Sequence, residues 1–259
     1  MVVVVLVHLV DATNFVTACA SSAQAYKTAT LLKTLSVNAL ISGEVGVGKK
    51  TLARYILSDA LVYSSNEYEE ILTALENTNE IIISDIENIP NIKKVLDLVK
   101  ENSVRLIATA SSSFYNEYID DTFSVKFDIP PLSQRPADVK ELTQLFMNEA
   151  AALFKTSAEL NMKNFKPDLS QNSNSLKRQL MISSLLQDIN DVELMDIMAN
   201  YFEDKLGSNS DYRNFLYLYE VPLIRAGLGK FKSQLQLSDK LGLNRNTLRK
   251  KIADNAKYL

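Results

Sequence analysis

The stretch of residues 43–50, Gly-Glu-Val-Gly-Val-Gly-Lys-Lys, constrains the fold of this chain more than any other. It follows the apolar run 37–41 and leads into residues 51–57, whose pattern predicts an amphipathic helix. A strand, a glycine-rich turn and a helix in this order form a phosphate cradle, because glycines let the backbone approach the phosphate oxygens and helix N-terminal amides point at them. The alternative is a glycine turn that caps an ordinary βα unit.

The lysines of this stretch carry its predicted chemistry. Lys49 is placed to reach the β- and γ-phosphates as a point charge. The general pattern has Ser or Thr directly after that lysine to hold magnesium, but here Lys50 follows and Thr51 comes one position late. We therefore expect ATP or ADP as a static ligand, with Mg²⁺ if ATP binds and with metal binding weakened by Lys50.

Charge is distributed unevenly along the 259 residues. The net charge is −3, yet residues 221–259 carry nine Lys and Arg against two Asp and Glu, a local +7 that leaves about −10 for the rest. A basic C-terminal module on an acidic body is typical of nucleic-acid binding, although a basic tail gives the same pattern.

The scarcity of cysteine and histidine excludes several classes of site. Cys19 and His8 are single, so intrachain disulfides, thiolate metal clusters, most zinc sites and His-based triads are excluded. A reducing, cytoplasmic location fits this usage. The apolar run 1–10 lacks a basic start and a cleavage site, and predicts a strand or a disordered start rather than targeting. No segment is long enough to span a bilayer, so we expect no membrane partner.

Strands and helices alternate in the first half of the chain, which argues for a parallel α/β sheet covered on both faces. Strand-like runs lie at 37–41, 80–85, 104–108 and 124–129, and helical patterns at 21–35, 51–57, 67–75 and 93–100. From residue 138 onward only helical patterns remain, at 139–152, 176–187 and 191–206. The predicted domains are an α/β core at 1–136, a helical lid at 137–207 and a DNA-binding module at 208–259.

The final module reads as a helix-turn-helix. One long helical pattern covers 211–227, with Pro222 expected to kink it or to start a new turn. A short helix at 235–241, a turn at 242–244 and a closing helix at 245–252 follow. The residues predicted to contact DNA are Arg245, Asn246, Thr247, Arg249, Lys250 and Lys251.

Two further expectations concern this module. Lys251 is expected to grip the DNA backbone, while the start of the closing helix reads bases. The apolar face of 211–227 has more Leu, Phe and Tyr than a short hairpin can cover, so we predict a homodimer on double-stranded DNA. The alternative is a solvated basic helical hairpin.

These motifs resemble the bacterial enhancer-binding proteins, the activators of sigma-54 RNA polymerase. Residues 218–224, 233–234 and 241–251 look like their Fis-type DNA-binding domain. Residues 39–49, 105–109 and 128–139 are similar to the phosphate loop, the sensor strand and the approach to the helical lid of their AAA+ ATPase domain, with Lys50 where the family carries Glu. The resemblance implies a P-loop AAA+ parallel sheet with helices on both faces, then an α-helical lid and an all-α helix-turn-helix domain.

The resemblance also completes the predicted nucleotide site, with Asp85 matching the magnesium-binding acid of the second nucleotide motif. The predicted nucleotide-binding residues are Gly43, Glu44, Val45, Gly46, Val47, Gly48, Lys49, Lys50, Thr51 and Asp85, of which Asp85 is the metal ligand.

Departures from the family argue against hydrolysis. Ile86 stands where the water-activating Glu belongs, and Glu87 is one residue off, on a strand end expected to point it elsewhere. Ser111 replaces the sensor Asn, while Tyr115 and Asp121 stand where two arginines act across subunits. Charge stabilisation of this kind supplies most of the rate of phosphoryl transfer.

Two further family features are missing. The lid arginine falls near Leu176, with Lys177 and Arg178 as candidates to replace it. The interval between Lys49 and Asp85 is too short for the Gly-Ala-Phe-Thr-Gly-Ala loop that touches the sigma factor.

The sequence therefore predicts a DNA-binding transcriptional regulator on a degenerate AAA+ domain that does not activate sigma-54. A contact with RNA polymerase stays open. The rivals are an active DNA-dependent AAA+ ATPase of the sigma-54 activator type and an interaction adaptor that no longer reads DNA.

Overall fold

The computed structural model describes residues 15–155, 165–231 and 233–259, which form two compact units, Met1–Asp188 and Ile189–Leu259. The expectation for residues 1–10 lies outside the described residues. Helices of the predicted lid fall in both units, and the three-domain division stays a prediction. None of the described helices is long and apolar enough to cross a membrane.

The first unit is built on a five-stranded sheet in which every strand pair is parallel. The strands are β1 (Ala39–Gly43), β2 (Val62–Ser64), β3 (Glu80–Ser84), β4 (Arg105–Ala110) and β5 (Val125–Ile129). They lie in the order β2-β3-β4-β1-β5, so the chain passes over β4 and β3 on leaving β1, and crosses β1 again to reach β5. Ligand sites in such sheets lie beyond the carboxyl ends of the strands, where the order reverses, which here is beside β1.

Both faces of this sheet are buried, because an uninterrupted apolar strand presents alternate side chains to opposite sides. In β3, Ile81 and Ile83 pack into one hydrophobic cluster and Ile82 packs into the other, and all three are fully buried.

Helices cover the two faces. The helices of the first unit are α1 (Ala20–Leu32), α2 (Lys49–Ile56), α3 (Tyr68–Asn77), α4 (Ile92–Glu101), α5 (Ile119–Thr122), α6 (Pro136–Phe154) and α7 (Ser173–Leu185). Apolar residues of α3 and α4 pack on the Ile81 and Ile83 side, and those of α1 and α2 on the Ile82 side. The predicted fold class, a P-loop α/β sheet with helices on both faces and helical segments after it, is confirmed.

Two short elements were not predicted. The strand β2 has three residues, each only half-buried, and α5 has four. Segments this short carry too few side chains for a hydrophobic period to show.

The second unit is entirely helical over its described residues. Its helices are α8 (Asp191–Glu203), α9 (Asp211–Phe215), α10 (Tyr217–Lys230), α11 (Gln234–Leu241) and α12 (Arg245–Asp254). The expected single helix over 211–227 is divided at Leu216, and Pro222 lies inside α10. The division therefore comes six residues before the proline that we expected to cause it.

Candidate functional site

The phosphate loop connects β1 to α2, at the carboxyl edge of the sheet. Gly43, Gly46 and Gly48 have φ angles of 148°, 79° and 107°, a backbone region that side chains rarely enter. Gly48 is the N-cap of α2, so the helix begins at Lys49 with its free amides at the end of the loop. The predicted strand–loop–helix order is therefore present, with the geometry that phosphate binding requires.

The loop is held from outside by the segment that begins α7. Ser173 donates to the Gly46 carbonyl through its amide at 3.1 Å and its hydroxyl at 2.6 Å. The fully buried Asn172 amide donates to the Val45 carbonyl and to the Glu44 carboxylate, each at 2.9 Å. These bonds use two loop carbonyls and the Glu44 carboxylate as acceptors, so they fix the loop without engaging its amides. No local sequence pattern predicts this support, because it joins residues more than 120 positions apart.

The Lys49 side chain turns back onto its own loop. Its ammonium donates to the Gly43 carbonyl and, at 3.2 Å, to the Glu44 carbonyl, and the residue is 7% exposed. Burial lowers the pKa of Lys49 below its ordinary value; Asp85 and Glu87 oppose the shift, Lys50 adds to it and Asp128 opposes it. Three carboxylates therefore share the edge of the sheet on which Lys49 lies.

The predicted metal ligand is already paired. The Lys50 ammonium lies 3.4 Å from the Asp85 Oδ2 atom, at the end of β3. Magnesium prefers carboxylate, hydroxyl and water oxygens in near-octahedral geometry, and it would have to displace or approach this ammonium. Among the described residues, no three His, Cys, Asp or Glu side chains converge to hold a metal ion. The donor set does not fit Mg²⁺ well, and the metal-ligand role of Asp85 that the resemblance implies stays a prediction.

The position of Glu87 also differs from expectation. Asp85 has a left-handed backbone with φ of 56°, which turns the chain so that Ile86 enters the core and Glu87 returns to the edge of the sheet. There its Oε1 accepts the Ser111 amide at 2.8 Å, while Oε2 is shielded from solvent and has no hydrogen-bond partner among the described residues. Glu87 is therefore near the site, with one oxygen bonded to the Ser111 amide and the other shielded from solvent.

A buried ion pair links three parts of the first unit. Arg135, only 1% exposed, donates to Asp138 Oδ2 at 2.6 Å and to the Val47 carbonyl at 3.1 Å. The second Asp138 oxygen accepts the Cys19 amide at 2.8 Å, at the start of α1. The network connects the phosphate loop to α1 and α6, and the sequence analysis quoted Arg135 and Asp138 only as part of the family resemblance.

A cavity of about 940 Å³ opens beside the loop. Phe15, Thr51, Leu145 and Met181 are among its largely apolar lining, and Lys177 stands at its wall, paired with Glu149 at 2.7 Å. Apolar walls next to a phosphate cradle suit a nucleoside.

The residues that stand at or near the positions of the family arginines lie in different surroundings. Of the two candidates for the lid arginine, Lys177 borders the cavity beside the loop, and Arg178 lies next to Asp168 on another face. Tyr115 and Asp121 are exposed, with Tyr115 at 84%.

In the second unit, α11 and α12 pack across a tight turn. The turn after α11 is closed by Gly242 with φ of 62° and by a bond from the Leu243 amide to the Ser238 carbonyl at 2.9 Å. Asn244 then caps α12 by accepting the Asn246 amide at 2.9 Å. Ile224, Leu237 and Leu248 form the buried centre of the three-helix packing.

Five of the six predicted DNA-contacting side chains share an exposed face of α12. They are Arg245, Asn246, Thr247, Arg249 and Lys250. Lys251 is different, because its ammonium forms an ion pair with Glu220 on α10 and its side chain is 27% exposed. The charge of Lys251 is thus engaged inside the unit, and the contact of Lys251 with the DNA backbone stays a prediction.

Comparison with known proteins shows similarity in fold alone. No protein-family model and no curated protein matches the chain. The crystal structure of NtrX from Brucella abortus in complex with ADP is similar, with a TM-score of 0.56, 15% identity, and coverage of 96% of this chain and 71% of that one. The structure of the same protein in complex with ATP gives a TM-score of 0.53, 16% identity and the same coverage.

Proposed function

We propose that this chain is a DNA-binding transcriptional regulator whose AAA+ domain binds ATP or ADP and does not hydrolyse ATP rapidly. The observation that carries the proposal is the arrangement of α11 and α12. A turn with a left-handed glycine joins the two helices. The buried Leu248 packs α12 into the core of the unit, and a basic, polar face of α12 is exposed. A helix presented in this way fits the major groove.

The chemistry of that face supports direct reading of bases. Arg245, Asn246 and Thr247 occupy the first turn of α12, where helix-turn-helix proteins contact base edges. Arg249 lies one turn further along the exposed face and matches the bidentate acceptors of guanine. Two such helices from a Fis-type homodimer would read half-sites about one helical turn apart.

Nucleotide binding is supported by the loop, by Lys49 and by the apolar cavity beside them. NtrX, which shares the fold, has been crystallised with ADP and with ATP. A nucleotide that binds only the folded chain would stabilise it by about 2.7 kcal/mol at one hundred times its Kd. We expect ADP to raise the melting temperature of the wild-type chain and to leave that of Lys49→Ala unchanged.

The absence of fast hydrolysis follows from how the catalytic carboxylate is placed. Glu87 lies one residue after the position of the missing base, where its Oε1 accepts the Ser111 amide and its Oε2 is shielded from solvent. A general base must lie within hydrogen-bond reach of the water that it activates. The described interval between Lys49 and Asp85 is also too short for the loop that contacts the sigma factor, so we propose that the chain does not open sigma-54 promoters.

The DNA test uses fragments selected from the genome by the full chain and measured by fluorescence anisotropy. Arg249→Ala should weaken binding by about 1–3 kcal/mol and relax specificity at one base pair. Lys27→Ala removes an equally exposed charge from α1 and should change nothing. Equal affinity of the wild type and Arg249→Ala on every fragment would refute the assignment of α12.

The second candidate, an active DNA-dependent ATPase, is favoured by the return of Glu87 to the edge of the sheet. It is tested by steady-state phosphate release with and without DNA. Turnover near about one per second, lost in both Lys49→Ala and Glu87→Gln, would establish this candidate instead.

A further inference from the structure

We propose that the Lys50 ammonium takes the place of a divalent cation, so that this chain binds nucleoside di- and triphosphates without magnesium. The inference rests on the proposed nucleotide binding and goes beyond it, because it names the group that faces the phosphates. Its starting point is that the side chains around Lys50 do not offer Mg²⁺ the oxygen ligands that it prefers.

The observation is the pairing of Lys50 with the acid at the end of β3. Lys50 is the second residue of α2, directly after the phosphate-loop lysine, where the general motif supplies a hydroxyl to magnesium. Its ammonium lies 3.4 Å from Oδ2 of Asp85, the acid that follows β3. The residue at the hydroxyl position of the general motif therefore places a cation of the chain itself against this acid.

The charges of the site agree with this reading. Lys49 and Lys50 contribute two positive charges against the three carboxylates at this edge of the sheet, Asp85, Glu87 and Asp128. A hydroxyl residue at position 50 would leave the site one charge more negative, and a metal would then be needed to offset that charge and the charge of the phosphate. With Lys50 present, added Mg²⁺ meets a like charge and an engaged carboxylate.

Thr51 does not restore the metal site. Successive helical residues point about 100° apart, because an α-helix has 3.6 residues per turn. Thr51 accordingly lines the cavity with Phe15 and Leu145, away from the Lys50–Asp85 pair. The hydroxyl that comes one position late in the sequence thus lies on a different side of α2.

The test measures binding of N-methylanthraniloyl ADP and ATP to the full chain, once in Mg²⁺ and once in EDTA. We expect the wild-type Kd to change by less than about threefold between the two conditions. Lys50→Thr should bind at least about tenfold more weakly in EDTA and regain affinity in Mg²⁺, since one charge-assisted contact corresponds to roughly a factor of ten or more. Lys50→Arg keeps the charge and should keep binding in EDTA.

Lys94→Thr is the matched control, because it removes an exposed lysine from the first turn of α4, away from this site. Circular dichroism melting confirms that each variant is folded. Wild-type binding that requires Mg²⁺ overturns the inference and leaves nucleotide binding intact. Equal binding of the wild type and Lys50→Thr in EDTA overturns it as well, and no binding in either condition overturns both the inference and the proposed nucleotide site.

Discussion

At the scale of single residues, the Arg135–Asp138 pair and the Lys126–Asp120 pair show how burial decides what an ion pair contributes. The first pair is almost completely buried, and each partner makes a further bond, to the Val47 carbonyl and the Cys19 amide. The second pair is exposed to solvent on both sides. Removing one partner of a buried pair leaves the other charge without compensation. In an exposed pair, water solvates the charge that remains.

This contrast gives the first prediction. Asp138→Asn should lower the free energy of unfolding by about 3–5 kcal/mol, because the Arg135 guanidinium would remain buried against an amide. Asp120→Asn should change it by less than about 1 kcal/mol. Urea denaturation followed by circular dichroism measures both. Similar values for the two variants would contradict the role assigned to the buried network.

The second prediction concerns Gly46 in the phosphate loop. A Cβ atom at this position would lie 2.3 Å from the Gln171 carbonyl, and the φ of 79° is itself unfavourable for alanine. Gly46→Ala should therefore cost about 2–4 kcal/mol of stability. The adjacent Val45→Ala removes a side chain that is 65% exposed and should be nearly neutral. Equal melting temperatures of the two variants would show that the segment before α7 does not hold the loop.

At the scale of elements, the packing of α10 on α11 depends on one glycine. A Cβ atom at Gly227 would meet the fully buried Leu237 side chain at 2.3 Å, whereas Gly229 on the same helix has nothing within 4 Å. The two helices approach closely at Gly227. This close contact sets the position of α11, and of the turn after it, relative to α10. The orientation of α12 thus depends on a residue outside the helix-turn-helix motif.

The third prediction follows from that packing. Gly227→Val should destabilise the second unit by about 1–3 kcal/mol, because it overpacks a filled core, and it should weaken DNA binding by displacing α11. Gly229→Ala should stabilise α10 by about 0.5–1 kcal/mol and leave DNA binding unchanged. Thermal melting and anisotropy titration distinguish the two. A stabilised Gly227→Val chain would refute the close approach.

At the scale of the whole molecule, the second unit exposes much apolar surface. Val192, Met195 and Tyr201 on α8 are 45–62% exposed, and Tyr212 and Tyr219 are 82% and 64% exposed. Large apolar side chains that stay exposed in such number are candidates for an interaction site. It supports the proposed homodimer, for which a stable interface needs about 800 Å² per partner.

The fourth prediction is that the chain sediments as a dimer at micromolar concentration. Tyr219→Arg should shift it to monomer and reduce DNA affinity, because a charge would be buried in the interface and one recognition helix would be lost. Leu31→Arg changes an equally exposed residue of α1 and should leave the dimer intact. Analytical ultracentrifugation gives the answer, and a monomeric wild type would refute the prediction.

The sequence alone determined the local elements of this protein. The glycine spacing of 43–48 predicted the phosphate loop, because only glycine enters those backbone regions without strain, and the apolar run 80–84 predicted a strand buried on both faces. The turn at 242–244 was predicted for the same reason. In each case the signal lies within a few consecutive residues and reflects backbone chemistry.

Only the tertiary structure decided which distant side chains meet. The Lys50–Asp85 pair joins residues 35 positions apart, and it forms because α2 begins at the edge of the sheet at which β3 ends. The left-handed backbone of Asp85 brings Glu87 back to that edge, and the Lys251 ammonium pairs with Glu220 within the second unit. Such pairings depend on strand order and helix packing, and these arise from contacts that no local sequence period encodes.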